Sequence, residues 1–362
     1  ENMVGTASED CKLRIFEIPE GGLTEHLKEA VVTLDQPKKI SLMKWNPVAS
    51  NIISTCAYDH TVRTWNIEEE QEISCVNLAD LILSQSWNST GDTLAVTCKD
   101  KILHIIDPRQ GSVAVGTKCH DGAKASKTIW LDGPNHRTDR LLTTGFGADA
   151  GRQMALWDLR KFSNEPTSGD TQARLQLTSL DQGTGTIMPT YDPDCRLLFL
   201  AGKGDGNVRF FECVEEDPYQ YFISQFATSA PQKAFGFLPK NALDVTKHEI
   251  MRGLKLESQH ITPVSFLVPR KSEAYQDDLY PLTYGHEPGL EGTDWANGKN
   301  GTRPLMSMDP KKRGIATAAP KDGGAKKLGA GGSLKDQLAA ANKRIAELEK
   351  ENKELKGKLG MK

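Results

Sequence analysis

Asp59-His60-Thr61-Val62-Arg63-Thr64-Trp65-Asn66 is one of four copies of a single pattern. Asp10-Cys-Lys-Leu-Arg-Ile-Phe16-Glu17, Asp100-Lys-Ile-Leu-His-Ile-Ile106-Asp107 and Asp205-Gly-Asn-Val-Arg-Phe-Phe211-Glu212 are the others. In each, an aspartate stands six residues before a large apolar residue, and a polar residue follows. Gln153-Met-Ala-Leu-Trp157-Asp158 repeats the ending after an insertion. The large residues at 16, 65, 106, 157 and 211 are 49, 41, 51 and 54 apart. An aspartate can close a tight turn on its own backbone, and the alternation after it predicts a strand.

A second register runs in phase with the first. Trp45, Trp87 and Tyr191 precede the matching blade-end residue by 19–20 positions, and Trp130 by 27 across the insertion. A period of about 40–50 with a Trp-Asp-like ending is the signature of a WD-repeat propeller, one four-stranded blade per repeat. The expected fold is therefore an all-β WD-repeat β-propeller, of which about five and a half blades are present in residues 1–268. Residues 1–18 supply the outer half of a blade, four blades follow to about 213, and 222–268 make one divergent blade. The usual Gly-His dipeptide is missing: Asp35-Gln36-Pro37 stands in one such place, and His120-Asp121-Gly122 keeps a trace. This argues against a buried His–Asp network. An open propeller edge would invite aggregation, so an N-terminal segment is expected beyond Glu1, which is not an initiator Met.

The remainder changes character. Residues 269–308 are rich in Pro, Gly, Asp and Tyr and form an irregular extension; 309–332 form a basic flexible linker. Ser333 can cap a helix, and 333–362 carries a heptad repeat. Its a positions are Leu338, Ile345, Asn352 and Leu359, and its d positions Leu334, Ala341, Leu348 and Leu355. Arg344 with Glu349, and Glu351 with Lys356, are opposite charges at g-to-e′ spacing, which favours a parallel coiled coil. A single helix lying on the propeller is the weaker alternative.

Charge is divided unevenly. The 362 residues carry a net −3, but 309–362 hold 14 Lys/Arg against 7 Asp/Glu. An acidic body with a basic tail points to an anionic partner. The candidates in the linker are Lys311, Lys312, Arg313, Lys326 and Lys327. No aromatic residue interleaves them, which argues against nucleic acid. No apolar run reaches transmembrane length.

No catalytic constellation stands out. Gly202-Lys-Gly204-Asp-Gly206 lacks phosphate-loop spacing, the eight histidines are scattered, and the seven cysteines form no Cys-x-x-Cys pair. Reduced, half-buried thiols are the expectation. Neither an enzyme, a cofactor nor a metal ligand set is expected.

Several further motifs are not explained by the repeat. Ser8-Glu9-Asp10-Cys11, Ile18-Pro-Glu-Gly-Gly22, Leu142-Thr-Thr-Gly-Phe146, Arg152-Gln-Met-Ala-Leu-Trp-Asp158, Gly202-Lys-Gly-Asp205, Val268-Pro-Arg-Lys-Ser272 and Asp277-Asp-Leu-Tyr-Pro281 resemble the coronins over roughly 1–308. The resemblance implies a seven-bladed propeller lacking its first blade and part of its second here, with 269–308 as an ordered strap packed on it. It also implies a cytoplasmic protein of the actin cytoskeleton and cell cortex. Such a protein binds F-actin, modulates the actin-related-protein branching complex and works with cofilin in filament turnover. Arg344-Ile-Ala-Glu-Leu-Glu349 resembles the coronin trimerisation motif, so a homotrimer stands ahead of a dimer, which Asn352 would favour. The alternative function is a WD-repeat adaptor in signalling or ubiquitin transfer, without actin binding.

Overall fold

The computed structural model describes residues 2–19, 21–134, 139–162, 173–272, 274–312 and 316–317. Its strands follow one another as antiparallel meanders. The first sheet has three strands, β1 (Met3–Ala7), β2 (Lys12–Glu17) and β3 (Val32–Asp35). Four four-stranded sheets follow. They are β4 (Ile40–Trp45) to β5 (Ile52–Ala57), β6 (Thr61–Asn66) and β7 (Gln71–Asn77); then β8 (Ile82–Trp87), β9 (Leu94–Cys98), β10 (Ile102–Asp107) and β11 (Ser112–Lys118). Next come β12 (Lys127–Trp130), β13 (Arg140–Phe146), β14 (Arg152–Asp158) and β15 (Arg174–Asp181), then β16 (Ile187–Asp192), β17 (Leu197–Gly202), β18 (Asn207–Cys213) and β19 (Gln220–Ala227). A sixth sheet has β20 (Ala234–Phe237), β21 (Glu249–Leu256) and β22 (Ile261–Leu267).

The repeat aspartates Asp10, Asp59, Asp100 and Asp205 all sit in turns that open the third strand of the blade pattern. Strand β2 aligns with β6 by this rule, so the first sheet holds the second, third and fourth strands of a blade. The divergent segment differs slightly from expectation. Residues 220–227 pair with β18 as the outer strand of the fifth sheet, so the sixth sheet begins only at Ala234. The start of that segment, Phe222-Ile-Ser-Gln-Phe226, is apolar enough to read as part of the next blade, yet it forms the largely exposed outer edge of the fifth sheet.

Strands β4, β8, β12, β16 and β20 contact one another in succession, so the first strand of each full blade lines the axis. The core lies in the seams between sheets rather than within any one of them. Leu13, Ile15 and Leu34 meet Ile53 and Trp65 in the first seam; Cys56 and Val62 meet Ile82, Leu94 and Val96 in the second. Later seams repeat this with Trp130 and Trp157, with Leu156 and Leu198, and with Phe199 and Phe266. Middle strands are covered on both faces, so β5 and β6 are buried along their whole length, whereas β19 is mostly exposed.

A polar network does survive where the Gly-His dipeptide is degraded. In the fourth sheet, Trp157 Nε1 donates to Thr143 Oγ1 at 2.8 Å, and His120 Nε2 lies 2.8 Å from the same oxygen. Gln153 Nε2 is 2.9 Å from His120 Nδ1, in the place an acid would take. In the second sheet Trp65 Nε1 meets Thr55 Oγ1 at 3.0 Å, and Gln36 Nε2 replaces the histidine at 2.7 Å. The amide supplies the donor that the imidazole supplies elsewhere.

Burial holds the His120 imidazole down to about 4 from an ordinary 6.5. Below pH 6.5 the unfolded chain takes up a proton that the folded chain refuses. Stability should therefore fall as pH drops from about 6.5 to about 4, by about 3 kcal/mol from this residue, and be unaffected above. His120→Gln, which copies Gln36, should remove that part of the slope. Urea unfolding of both chains at pH 4.5 and 7.5 checks it; parallel acid limbs would show that His120 is not held neutral.

Candidate interaction surface

Meander topology sorts the connections onto two faces. The turns between second and third strands and the links from one sheet to the next lie at one end, here the turn face. The turns between first and second and between third and fourth strands lie at the other end.

The far end is where residues 274–312 pack. A short helix α1 (Gly292–Ala296) places Trp295 against Trp87 edge-on, centroids 6.0 Å apart. Trp295 Nε1 donates to Gly91 O at 2.8 Å, and the Arg109 guanidinium covers the ring at 4.7 Å. Gly292 must lack a side chain, because a Cβ there would stand 2.6 Å from Ser50 O. Backbone bonds from Gly289 to Val48 and from Ser50 to Leu290 continue the seam. Tyr280 donates to Glu249 O at 3.0 Å, and Met308 is buried with Leu243 and Val245. Pieces β23 (Thr283–Tyr284), β24 (Leu305–Met306) and β25 (Ala316–Thr317) form a small separate sheet. Exposed acids Glu68–Glu70 and Glu215–Asp217 occupy other connections at this end.

The turn face is different. Its repeat aspartates are spent internally: Asp10 on Arg14 at 2.5 Å, Asp59 on Arg63 at 3.1 Å, and Asp205 on Arg152 at 2.6 Å. Arg152 and Arg209 also grip Asp181 at 2.5 and 2.6 Å, tying the fourth sheet to the fifth. Burial would raise the Asp181 carboxyl, but Arg152, the Gly183 N–H and Arg209 together bring it down to about 2. Six lysines, Lys38, Lys99, Lys118, Lys124, Lys203 and Lys233, are exposed on turns or sheet links of this end, beside the exposed acids Glu9, Asp35, Asp121 and Asp149. Lys118 pairs with Asp121 at 2.7 Å, and Lys124 donates to Thr184 O at 3.0 Å. Nearer the axis, burial first and then the like charges of Lys44 and Lys203 push the Lys127 ammonium down. The cations of three blades thus act on one another, as they would on a surface that faces an anion.

Of the sequence-derived candidates, Lys311 and Lys312 are exposed, in a turn that Asp309 closes on the Lys311 N–H at 2.9 Å. They follow Met308 at the strap end, not at the turn face. Arg313, Lys326 and Lys327, and the heptad residues Leu334, Leu338, Ala341, Arg344, Ile345, Leu348, Glu349, Asn352, Leu355 and Leu359, lie outside the described residues. The turn-face lysines were not singled out from sequence because they are scattered among the repeats and form no long basic run. Their only signal was position, beside the repeat aspartate or just before an inner strand. All seven cysteines are free. Among the described residues no helix is long and apolar enough to cross a membrane.

A family model described as a type of WD40 repeat matches residues 261–303. Coronin-A of Dictyostelium discoideum is 38% identical over 310 residues, covering 85% of this chain and 66% of that protein. Human Coronin-2A is 36% identical over 321 residues, covering 85% of the chain and 58% of the relative. The chain thus spans less than two thirds of the length of these relatives. The crystal structure of the WD40 domain of Toxoplasma gondii coronin superposes with a TM-score of 0.79 at 36% identity, covering 85% of this chain and 77% of that one. A chain of the mitotic checkpoint complex shares the fold alone, at 13% identity and a TM-score of 0.56.

Proposed function

The chain belongs to the coronin family, and on that premise we propose that it is an actin-filament-binding regulator of the cytoskeleton that docks on filaments through the turn face. The observation that carries this reading is that six exposed lysines, contributed by successive blades, stand on turns and links at the end of the blades that the strap leaves uncovered. Actin filaments are acidic, so these lysines can steer and orient the encounter. Crosslinking of filaments, modulation of the actin-related-protein branching complex and cooperation with cofilin extend the same reading, as does a cytoplasmic, cortical location. The self-associating helix at 333–362 supplies the multiplicity that crosslinking needs.

Cosedimentation with filaments tests the face. Lys99→Glu, Lys203→Glu and Lys233→Glu together replace three attractions by three repulsions, each exposed pair being worth about 0.2–1 kcal/mol. Affinity should fall roughly 10- to 100-fold at low salt, and the remaining binding should depend less on salt. Glu68→Lys with Glu69→Lys, at the strap end, should leave binding unchanged. Equal loss in both variants would remove the turn face from the mechanism. A parent chain that does not pellet with filaments would favour the adaptor reading.

A further inference from the structure

The third sheet departs from its neighbours at two positions at once. In the first and second sheets the repeat aspartate pairs with an arginine four residues on, Asp10 with Arg14 and Asp59 with Arg63, and in the fifth Asp205 takes Arg152. The third sheet has His104 at that offset from Asp100, and Cys98 two residues before the aspartate, where the other repeats have Ser8, Ala57 and Lys203. The shorter imidazole cannot reproduce the guanidinium fork. His104 Nε2 stops 3.8 Å from Asp100 Oδ2. Both ring nitrogens of His104 and Asp100 Oδ2 are buried with no hydrogen-bond partner, and His104 is only 8% exposed. Three orphaned polar atoms in one seam are costly unless something satisfies them.

We propose that Cys98, Asp100 and His104 form a binding site for a first-row divalent cation, Zn2+ foremost, that fastens the β9–β10 hairpin. One atom from each residue, a thiol sulfur, a carboxylate oxygen and an imidazole nitrogen, lies within 4.8 Å of the other two. A tetrahedral zinc at about 2.0–2.3 Å from its ligands needs donor separations of about 3.3–3.7 Å. The His104–Asp100 distance is nearly that already, and side-chain rotation closes the rest. The donor set is zinc-like: one soft sulfur, one nitrogen and one hard oxygen, with the fourth position left to water. Burial and the nearby Asp100 and Asp80 charges push the Cys98 thiol up. A dication reverses that, because a coordinated thiol is deprotonated outright. Binding therefore forms the metal–sulfur bond, releases the Cys98 proton to solvent and leaves no oxidation-state change. Cys98 also belongs to the seam shared with Cys56 and Val62 of the preceding sheet, so the bound ion would tie the hairpin to a buried contact between sheets.

The test uses the full chain, free of tags and stripped with a chelator, titrated with Zn2+ against a chromogenic competitor and separately with Co2+. The expected result is one zinc per chain, about one proton released, and with cobalt the visible bands of a tetrahedral ion plus a near-ultraviolet thiolate charge-transfer band. His104→Arg rebuilds the Asp–Arg pair of the neighbouring blades, so it should fold as the parent does, by circular dichroism, yet bind zinc roughly 100-fold more weakly or worse. Cys98→Ala should lose the charge-transfer band. A parent chain that takes up no stoichiometric zinc, a folded His104→Arg chain that keeps it, or a cobalt complex without the thiolate band overturns the assignment.

Discussion

Trp295→Ala is expected to lower the unfolding free energy of the propeller by about 3–5 kcal/mol, the range for truncating a buried tryptophan. The residue is only 1% exposed and sits in the same core cluster as Ile52, Leu94 and Trp87. Its removal thus opens a cavity between the second and third sheets, not a gap at the surface. It also orphans Gly91 O, which loses the indole N–H, and uncovers the Arg109 guanidinium. Helix α1 spans five residues, too short to persist on its own, so the segment around it should come loose together. Denaturant unfolding should show a lower midpoint. Limited proteolysis should cut the variant between residues 285 and 304 while the sheets resist. Trp295→Phe keeps most of the packing and drops only the hydrogen bond, so it should cost nearer 1 kcal/mol. If Trp295→Ala unfolds at the parent midpoint, the strap contributes nothing to the cooperative unit.

How much of this was readable from the chain depended on whether a feature repeats. The blade strands were legible because the aspartate turn and the blade-end aromatic recur in phase, and local periodicity is what a strand leaves in a sequence. The Thr55–Trp65–Gln36 contact was not legible. Its donor comes from a link between sheets, and an amide in place of an imidazole breaks the dipeptide pattern while keeping the hydrogen bond. Trp295 left a faint signal, a large aromatic residue in an aperiodic segment rich in Gly and Asn. The position that buries it, however, is set by Gly91 and Arg109, about two hundred residues away in the chain. The turn-face lysines show the same limit. Lys99, Lys203 and Lys233 are far apart in sequence, and only the meander brings them to one end. The Cys98–Asp100–His104 group falls between these cases. Its residues are local, but a Cys-x-Asp-x-x-x-His spacing means little until the structure shows the imidazole buried and unpartnered.

Deleting residues 333–362 should reduce filament affinity far more than any change of charge in the linker. On the proposed function, the heptads from Leu334 to Leu359 would join two or three chains, and each assembly would present two or three lysine faces. Once one face has bound, the others bind as intramolecular events, which raises avidity by roughly 10²–10⁴. The linker works differently. Residues 309–332 carry six Lys/Arg and two Asp, but exposed charges are screened within about 8–10 Å at physiological ionic strength. Lys311 and Lys312 also start from the strap end, away from the turn face. Neutralising Lys311, Lys312, Arg313, Lys326 and Lys327 should therefore weaken binding by a few-fold at most and flatten its salt dependence slightly. Leu348→Ala, which removes a central d-position side chain, should behave like the deletion, since a lost buried leucine costs about 2–5 kcal/mol and a short coiled coil has little to spare. The measurement is cosedimentation at two salt concentrations, paired with the mass of each variant in solution and low-speed pelleting of crosslinked filaments. A deletion that leaves affinity and crosslinking at parent values would mean that one propeller suffices and that the helix serves another purpose. A deletion that loses crosslinking but keeps single-filament affinity would confine the helix to bridging and leave binding to one turn face.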